Sequence, residues 1–207
     1  MRELRYSGYR YGAAVIWLWL ALIFPVSAYL PDWVSFENGP VENAQVAVLL
    51  AFGVMCFYFG GQAAKIGGYR IWRPAGVIFW ILAARELSWG RALMPIGYSE
   101  TSGPILMASK DLPFYTEIHA AVGIMAAGSL YFIIRYTPWR RIFREIPFPW
   151  MNIAAAVVCM SLVTLGDHGS IYHTMRDQQI EELAELLLYV TLGYTAWYYY
   201  SWIENIK

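Results

Sequence analysis

Long apolar runs, separated by short polar turns, limit what this chain can fold into. A membrane-crossing helix needs roughly 20 mainly apolar residues, and about six such windows can be placed along the sequence. Charged residues make up 14% of the chain, whereas they approach roughly a quarter of an ordinary soluble domain. The pattern predicts an all-α polytopic membrane protein, folded as a single transmembrane domain over residues 1–207. We predict transmembrane helices near 11–30, 41–64, 71–89, 118–136, 150–165 and 183–202.

The basic residues indicate how this bundle is oriented. Eleven of the fifteen Lys and Arg residues lie in the N-terminal segment, in the turns around Arg70 and Arg141, and at Lys207. Loops rich in Lys and Arg stay in the cytoplasm, so both termini are predicted to be cytoplasmic. The first apolar run resembles a signal peptide, but its length and its lack of a small-residue cleavage site favour a retained helix. We expect a bacterial inner membrane protein whose partners are membrane lipids.

Most acidic residues and all three histidines lie toward the opposite, trans end of the predicted helices. Glu86 is the most informative of them, because a carboxylate near the end of an apolar helix is costly unless it is paired or bound. Its neighbour Arg85 is predicted to be a poor partner, since adjacent helical residues point about 100° apart. Glu86 therefore either pairs with an arginine from another helix or has a functional role.

A second acidic and histidine pair opens the fourth predicted helix. Glu117 and His119 are two residues apart, so they do not share a helical face. Glu117 can rest in the first turn, where the helix dipole favours an acid, and His119 is then the residue expected to point inward. A single histidine in such a helix either packs through a hydrogen bond or binds a ligand.

The densest polar stretch runs from Asp167 to Tyr189, between the fifth and sixth predicted helices. Asp167, His168, Ser170 and His173 are expected in a turn or short helix. Glu182 and Glu185 are three residues apart and share one face of the sixth helix. Glu181 is interpreted as a solvated acid at the helix start, where the dipole stabilises it.

These groups come from separate regions of the chain but share one depth in the predicted bundle. Nitrogen and oxygen ligands of this kind suit zinc or another divalent ion. We predict a metal site, with zinc as its ion, formed by Glu86, His119, His173 and Glu185. A metal-activated water, with Glu182 as general base and Ser170 or Ser88 stabilising an oxyanion, would hydrolyse a lipid-linked amide or ester at the trans side.

The residues from Gly169 to Met175, followed by Gln179 and Glu182-Leu183, resemble the signature of alkaline-ceramidase-like membrane hydrolases. That resemblance implies hydrolysis of amide bonds in lipids, with His173 as the first zinc histidine and Ser170 as the polarising serine. Asp32-Trp33, with Glu37, Asn38 and Glu42, is loosely similar to the calcium-binding motif of the same enzymes. The chain departs from the pattern in its serine-to-histidine spacing and lacks the closing histidine pair.

The segment Glu86-Leu87-Ser88-Trp89-Gly90 carries a second likeness. It resembles a Glu-Ile-Ser-Trp-Gly motif of uncharacterised bacterial integral membrane proteins, which also have a histidine near the next helix and a Glu-rich start to a late helix. This resemblance implies that the three polar clusters belong together, and it implies no activity.

Two alternative functions fit the same residues. The chain could be a non-catalytic subunit or assembly factor of a larger membrane complex, with the acidic end as its docking or cation-binding surface. It could also bind haem b through His119 and either His168 or His173. Nucleic acid is not an expected partner, because topology explains the basic clusters. Nucleotide chemistry is not expected either, because the sequence has no GxxxxGK[ST] phosphate loop.

Overall fold

The computed structural model describes residues 2–65, 70–99 and 103–203; Lys207, which entered the predicted orientation, lies outside them. The described chain is mostly helical. Its α-helices are α1 (Arg2–Ser27), α2 (Pro40–Lys65), α3 (Trp72–Glu86), α4 (Tyr115–Tyr136), α5 (Trp139–Glu145), α6 (Trp150–Asp167) and α7 (Met175–Ile203). Short 3₁₀ turns occur at Asp32–Ser35, Ser88–Leu93 and Ser109–Asp111.

Helix α7 is the centre of the bundle and packs against α1, α2 and α6. Its apolar residues Ile180, Leu183, Ala184 and Leu187 are buried against side chains of α1 and α6. Farther along, Tyr189 joins a second buried cluster with residues of α2 and α3. The first half of α7 is therefore largely covered by other helices, while Leu192 and Trp197 farther along are exposed.

Helices α3 and α4 form the outer side of the molecule. Helix α3 packs against α2, and α4 packs mainly against α3. Ser129 is the one fully buried residue of α4, while Ile124 is 74% exposed and Tyr131 is 61% exposed. An apolar helix with so much uncovered surface is suited to contact lipid tails.

Four segments of the described chain are long and apolar enough to cross a membrane: Gly8–Ser27, Asp32–Ala64, Tyr115–Tyr136 and Trp150–Asp167. These four helices support the interpretation of the chain as an integral membrane protein. The other two predicted spans differ from them. Helix α3 has 15 residues, about 22 Å at the usual rise, whereas the hydrocarbon core is about 30 Å thick. Helix α7 has ample length but carries acidic residues through its first three turns.

The structure corrects several predicted boundaries. Helix α7 begins eight residues before the predicted start at 183, so the Glu-rich segment is helical. Helix α3 ends at Glu86 instead of continuing to 89, because Ser88, Trp89 and Gly90 all have positive φ angles. The all-α prediction also missed a short antiparallel hairpin, β1 (Gly97–Ser99) with β2 (Gly103–Ile105). Strands of three residues are too short for an alternating apolar pattern to reveal them.

The turn between α6 and α7 is organised by one buried carboxylate. Asp177 accepts hydrogen bonds from the backbone N–H groups of Tyr172 at 2.8 Å, His173 at 2.9 Å and Ile171 at 3.3 Å. His173 itself has a φ of +58° and an exposed side chain. The backbone N–H of His173 thus helps to hold the turn, while its imidazole ring is exposed.

Gly166 allows α6 and α7 to meet closely at this turn. A Cβ atom at residue 166 would lie 2.8 Å from the carbonyl oxygen of Asp177 and 3.2 Å from the Cα of Glu181. We expect Gly166→Ala to lower the free energy of unfolding by about 1–3 kcal/mol, because backbone atoms cannot rotate out of the way. Equilibrium unfolding in detergent measures the change. Gly128→Ala is the control, since a Cβ there meets nothing within 4 Å, and an equal loss in both variants would contradict the prediction.

Candidate functional site

A polar pocket of about 350 Å³ opens where α2 and α7 begin, α3 ends and α4 begins. We call it the carboxylate pocket. Five glutamates, two arginines and one histidine contribute to its wall, so carboxyl groups outnumber guanidinium groups. Its lining residues are Glu42, Arg85, Glu86, Ser88, Trp89, Arg91, Ser109, Tyr115, His119, Glu181, Glu182 and Glu185.

Arg85 links the carboxylates of α3 and α7 at the base of the pocket. Its guanidinium contacts Glu86 Oε1 at 3.2 Å and Glu185 Oε1 at 3.3 Å, and it donates to the hydroxyl of Tyr189 at 3.0 Å. The Tyr189 hydroxyl in turn donates to Glu86 Oε1 at 2.7 Å. The prediction that Arg85 is a poor partner for Glu86 is therefore wrong, because the long arginine side chain reaches back across the helix surface.

Glu182 is held on the other side of the pocket by a buried glutamine of α2. The side-chain amide of Gln45 donates to the Glu182 carboxylate at 2.8 Å and to the Glu182 carbonyl oxygen at 2.9 Å. Gln45 is fully buried, and its Oε1 has no hydrogen-bond partner among the described residues. Glu42, one turn earlier on α2, accepts a hydrogen bond from the backbone N–H of Asn38. Helix α2 therefore supplies an acid to the pocket wall and a buried amide that holds Glu182.

Two pocket glutamates precede the apolar part of α7, which starts at Leu183. Burial, together with the neighbouring carboxylates of Glu185 and Glu42, raises the pKa of Glu182 to about 8. Burial, together with the carboxylate of Asp167, raises the pKa of Glu181 to about 7. Both effects disfavour the charged form. Around neutral pH, Glu182 is therefore largely protonated and able to donate a proton.

His119 enters the pocket from the first turns of α4. Its Nδ1 lies 2.7 Å from the carbonyl oxygen of Tyr115, which assigns the proton to Nδ1. Nε2 is then left as an acceptor, the form of imidazole that can act as a base or bind a metal. The ring lies between two aromatic side chains, with centroid distances of 5.5 Å to Trp89 and 4.1 Å to Tyr115.

The backbone that carries Trp89 is unusual. Ser88 and Trp89 have φ angles of +47° and +59°, and Gly90 follows with a φ of +98°. Such conformations cost free energy for residues with a side chain, and they concentrate at functional sites. In this chain they turn the Glu86–Gly90 motif away from the axis of α3, and Trp89 comes to rest against His119.

The structure brings together four of the six residues predicted for the site. Glu86, His119, Glu182 and Glu185 line the carboxylate pocket, while Ser170 and His173 do not. His168 also lies outside the pocket and is bonded through Nδ1 to its own helix at Thr164. Sequence reasoning missed Gln45 and gave Glu42 no role in this pocket. Their three-residue spacing at the start of an apolar helix was the available signal, because it places both on one face.

The pocket contains three of the four predicted zinc ligands, Glu86, His119 and Glu185. Glu86 and Glu185 already share the Arg85 guanidinium, and His173 lies in the α6–α7 turn. Among the described residues, no three His, Cys, Asp or Glu side chains are grouped to hold a metal ion. Zinc binding therefore stays a prediction, and we derive no catalytic step through a metal.

Removal of the shared guanidinium should destabilise the bundle. We expect Arg85→Met to lower the free energy of unfolding by about 1–3 kcal/mol, because Glu86 and Glu185 would be left in a partly buried site without a cation. The double variant Arg85→Met/Glu185→Gln should recover part of that loss. Equilibrium unfolding in detergent measures both changes, and Arg140→Met serves as an exposed arginine control. Additive losses in the double variant would show that the two side chains are not coupled.

The raised pKa values also predict how stability depends on pH. In the unfolded chain the carboxyls of Glu181 and Glu182 have ordinary pKa values of about 4.5, and in the folded chain these become about 7 and about 8. Between those limits the folded state binds more protons than the unfolded state, so stability falls as pH rises from about 4.5 to about 8 and is unaffected by these groups below that range. Melting temperatures measured across the range test this, and Glu182→Gln should flatten the profile while the exposed Glu117→Gln should not.

Comparison with protein-family models, with curated proteins and with solved structures finds no match for this chain.

Proposed function

We propose that this chain is an integral membrane enzyme that hydrolyses an amide or ester bond of a lipid-linked substrate in the carboxylate pocket. One observation carries the proposal. The pocket combines His119, whose Nε2 is an acceptor, with Glu182, whose carboxyl holds a proton near neutral pH, and with the guanidinium of Arg85. A base, an acid and a fixed positive charge in one polar cavity are the groups that acyl hydrolysis requires.

Each group has a definite task in this reaction. His119 Nε2 removes a proton from water, and the oxygen of that water forms a bond to the substrate carbonyl carbon. Arg85 stabilises the negative charge that develops on the carbonyl oxygen. Glu182 donates its proton to the leaving amine or alcohol as the carbon–nitrogen or carbon–oxygen bond breaks. The products are a carboxylic acid and the released amine or alcohol, and the proton on His119 then passes to Glu182, which restores both groups.

The position of the pocket supports a lipid-linked substrate. Tyr115 and His119 belong to α4, whose outer surface is largely uncovered and apolar. A substrate whose chains lie in the membrane can therefore present its polar head group beside the first turns of α4. We place this end of the bundle at the trans side of a bacterial inner membrane, because the arginine-rich segments lie at the other ends of α3 and α4.

The resemblance to alkaline-ceramidase-like hydrolases supplies the class of reaction and does not supply the residues. Ser170 and His173, which carry that resemblance, lie in the α6–α7 turn, where the backbone of His173 is bonded to Asp177. The proposed roles belong to His119, Glu182 and Arg85 for the reasons of geometry given above.

A second candidate function is a non-catalytic subunit that docks onto a larger membrane complex. It is favoured by the connection between α3 and α4, which exposes large apolar side chains at the same end as the pocket. Leu93 is 68% exposed, Tyr98 is 70% exposed and Phe114 is 75% exposed. Co-purification of stoichiometric partner proteins, lost on Leu93→Ser and Phe114→Ser, would favour this second function.

The catalytic proposal is tested with purified protein in nanodiscs that contain labelled N-acyl and O-acyl lipids. The wild-type protein should release labelled fatty acid, and His119→Gln and Glu182→Gln should each slow the release by at least about 100-fold, the usual contribution of a general base or acid. His168→Gln is the matched control, since this histidine lies outside the pocket. Metal analysis of the same preparations tests the zinc prediction. Equal rates in wild-type and both pocket variants would overturn the assignment of these residues.

A further inference from the structure

An apolar groove of about 300 Å³ lies at the end of the bundle opposite the carboxylate pocket. Helices α3, α4, α5 and α7 all contribute to it, and we call it the basic-end groove. Its wall is almost entirely hydrocarbon and aromatic. Residues that line it include Trp72, Ala75, Ile133, Phe143, Ala196 and Tyr199.

The groove and the carboxylate pocket are separate sites joined by the same helices. Helix α3 begins at Trp72 beside the groove and ends at Glu86 in the pocket. Fourteen residues of helix correspond to about 21 Å. The two sites thus lie at different levels of the membrane, and a ligand in one does not occupy the other.

Helix α5 places positive charge next to the groove. Its apolar residues Trp139, Ile142 and Phe143 line the groove, at the spacing that puts them on one helical face. Arg140 and Arg144 are exposed on the remaining surface of this seven-residue helix. The carboxylate of Glu145 is already paired with Arg141 at 3.4 Å. The helix therefore carries an excess of positive charge at the mouth of an apolar groove.

Further arginines surround the same end of the bundle. Arg70 and Arg73 are exposed beside the start of α3, and Arg135 is exposed in the last turn of α4. Each precedes or follows a residue of the groove by no more than two positions in the chain. Arginine forms charge-assisted, often bidentate, hydrogen bonds with phosphate, and its long side chain reaches from a helix surface to the head-group level.

We propose that the basic-end groove binds an anionic phospholipid, with one acyl chain in the groove and the phosphodiester against Arg140 and Arg144. The apolar wall selects a hydrocarbon chain, and the arginines select a negatively charged head group. A zwitterionic lipid would bring a quaternary ammonium group toward the same guanidinium groups, so its binding should be weaker. Phe143 is 71% exposed and Trp139 is 44% exposed. Both aromatic rings would lie at the boundary between the acyl chain and the head group of the lipid.

Native mass spectrometry of the full-length protein in detergent tests this proposal. The probes are phosphatidylglycerol and phosphatidylcholine with identical acyl chains, added separately and in competition. The wild-type protein should retain one phosphatidylglycerol with an affinity at least about tenfold above that for phosphatidylcholine, as two favourable arginine contacts require. Added inorganic phosphate should not displace the lipid, because it cannot fill the apolar groove.

Two variants separate the contributions of charge and groove. Arg140→Gln/Arg144→Gln should weaken phosphatidylglycerol binding by about fivefold for each arginine and leave phosphatidylcholine binding unchanged. Ala75→Phe should weaken the binding of both lipids, because the new ring occupies the groove. The matched controls are Arg10→Gln, which removes a charge from α1, and Ala127→Phe, which adds a ring to the exposed surface of α4. Melting temperatures establish that each variant is folded.

Several results would overturn the proposal. Equal wild-type affinity for the two lipids would remove the role of charge. A loss of phosphatidylglycerol in Arg10→Gln as large as in the double arginine variant would mean that only the net charge of the protein matters. Unchanged binding in a folded Ala75→Phe variant would place the lipid elsewhere. If Ala75→Phe does not fold, the double arginine variant with its Arg10→Gln control decides the question.

Discussion

One guanidinium group holds together the two helices on which the carboxylate pocket depends. Arg85 is shared by Glu86 of α3 and by Glu185 and Tyr189 of α7. A carboxylate buried among apolar helices is expensive unless a positive charge and hydrogen bonds accompany it. The acidic start of α7 can therefore lie at the centre of the bundle only because α3 presents this arginine. Helix α3 ends one residue after Arg85, and the left-handed turn that carries Trp89 comes directly after that end.

The two ends of the bundle differ in charge and in polarity. At the pocket end, carboxylates exceed arginines, and the excess charge is relieved by protonation of Glu181 and Glu182. At the other end, arginines surround an apolar groove in which polar side chains are nearly absent. Helices α3, α4 and α7 connect the two sites, so a change in their packing would be felt at both. Under the two proposals above, the carboxylate pocket would bind the polar part of a substrate and the basic-end groove would bind an anionic lipid.

The sequence predicted the level of the bundle at which the site lies, but it predicted only some of the residues that form it. Glu86, His119, Glu182 and Glu185 lie at the ends of apolar segments that were predicted to face the trans side, and the structure places all four around one pocket. Ser170 and His173 share that depth, but Asp177 draws their turn toward itself through backbone hydrogen bonds, and the side chain of His173 faces outward. Gln45 and Glu42 were not assigned to this site, because their role depends on which face of α2 meets α7.

Apolar runs and polar turns, read along the sequence, predict a helical protein with helices long enough to cross a membrane, and they locate most of those helices. These are local properties, so they can be read without knowing which helices touch. The packing of the fold places α7 at the centre, pairs Arg85 with its own neighbour Glu86, and brings Trp89 against His119. These contacts depend on helix rotation, on the reach of long side chains and on a left-handed turn. A local sequence pattern specifies none of these three features, so it cannot predict the contacts.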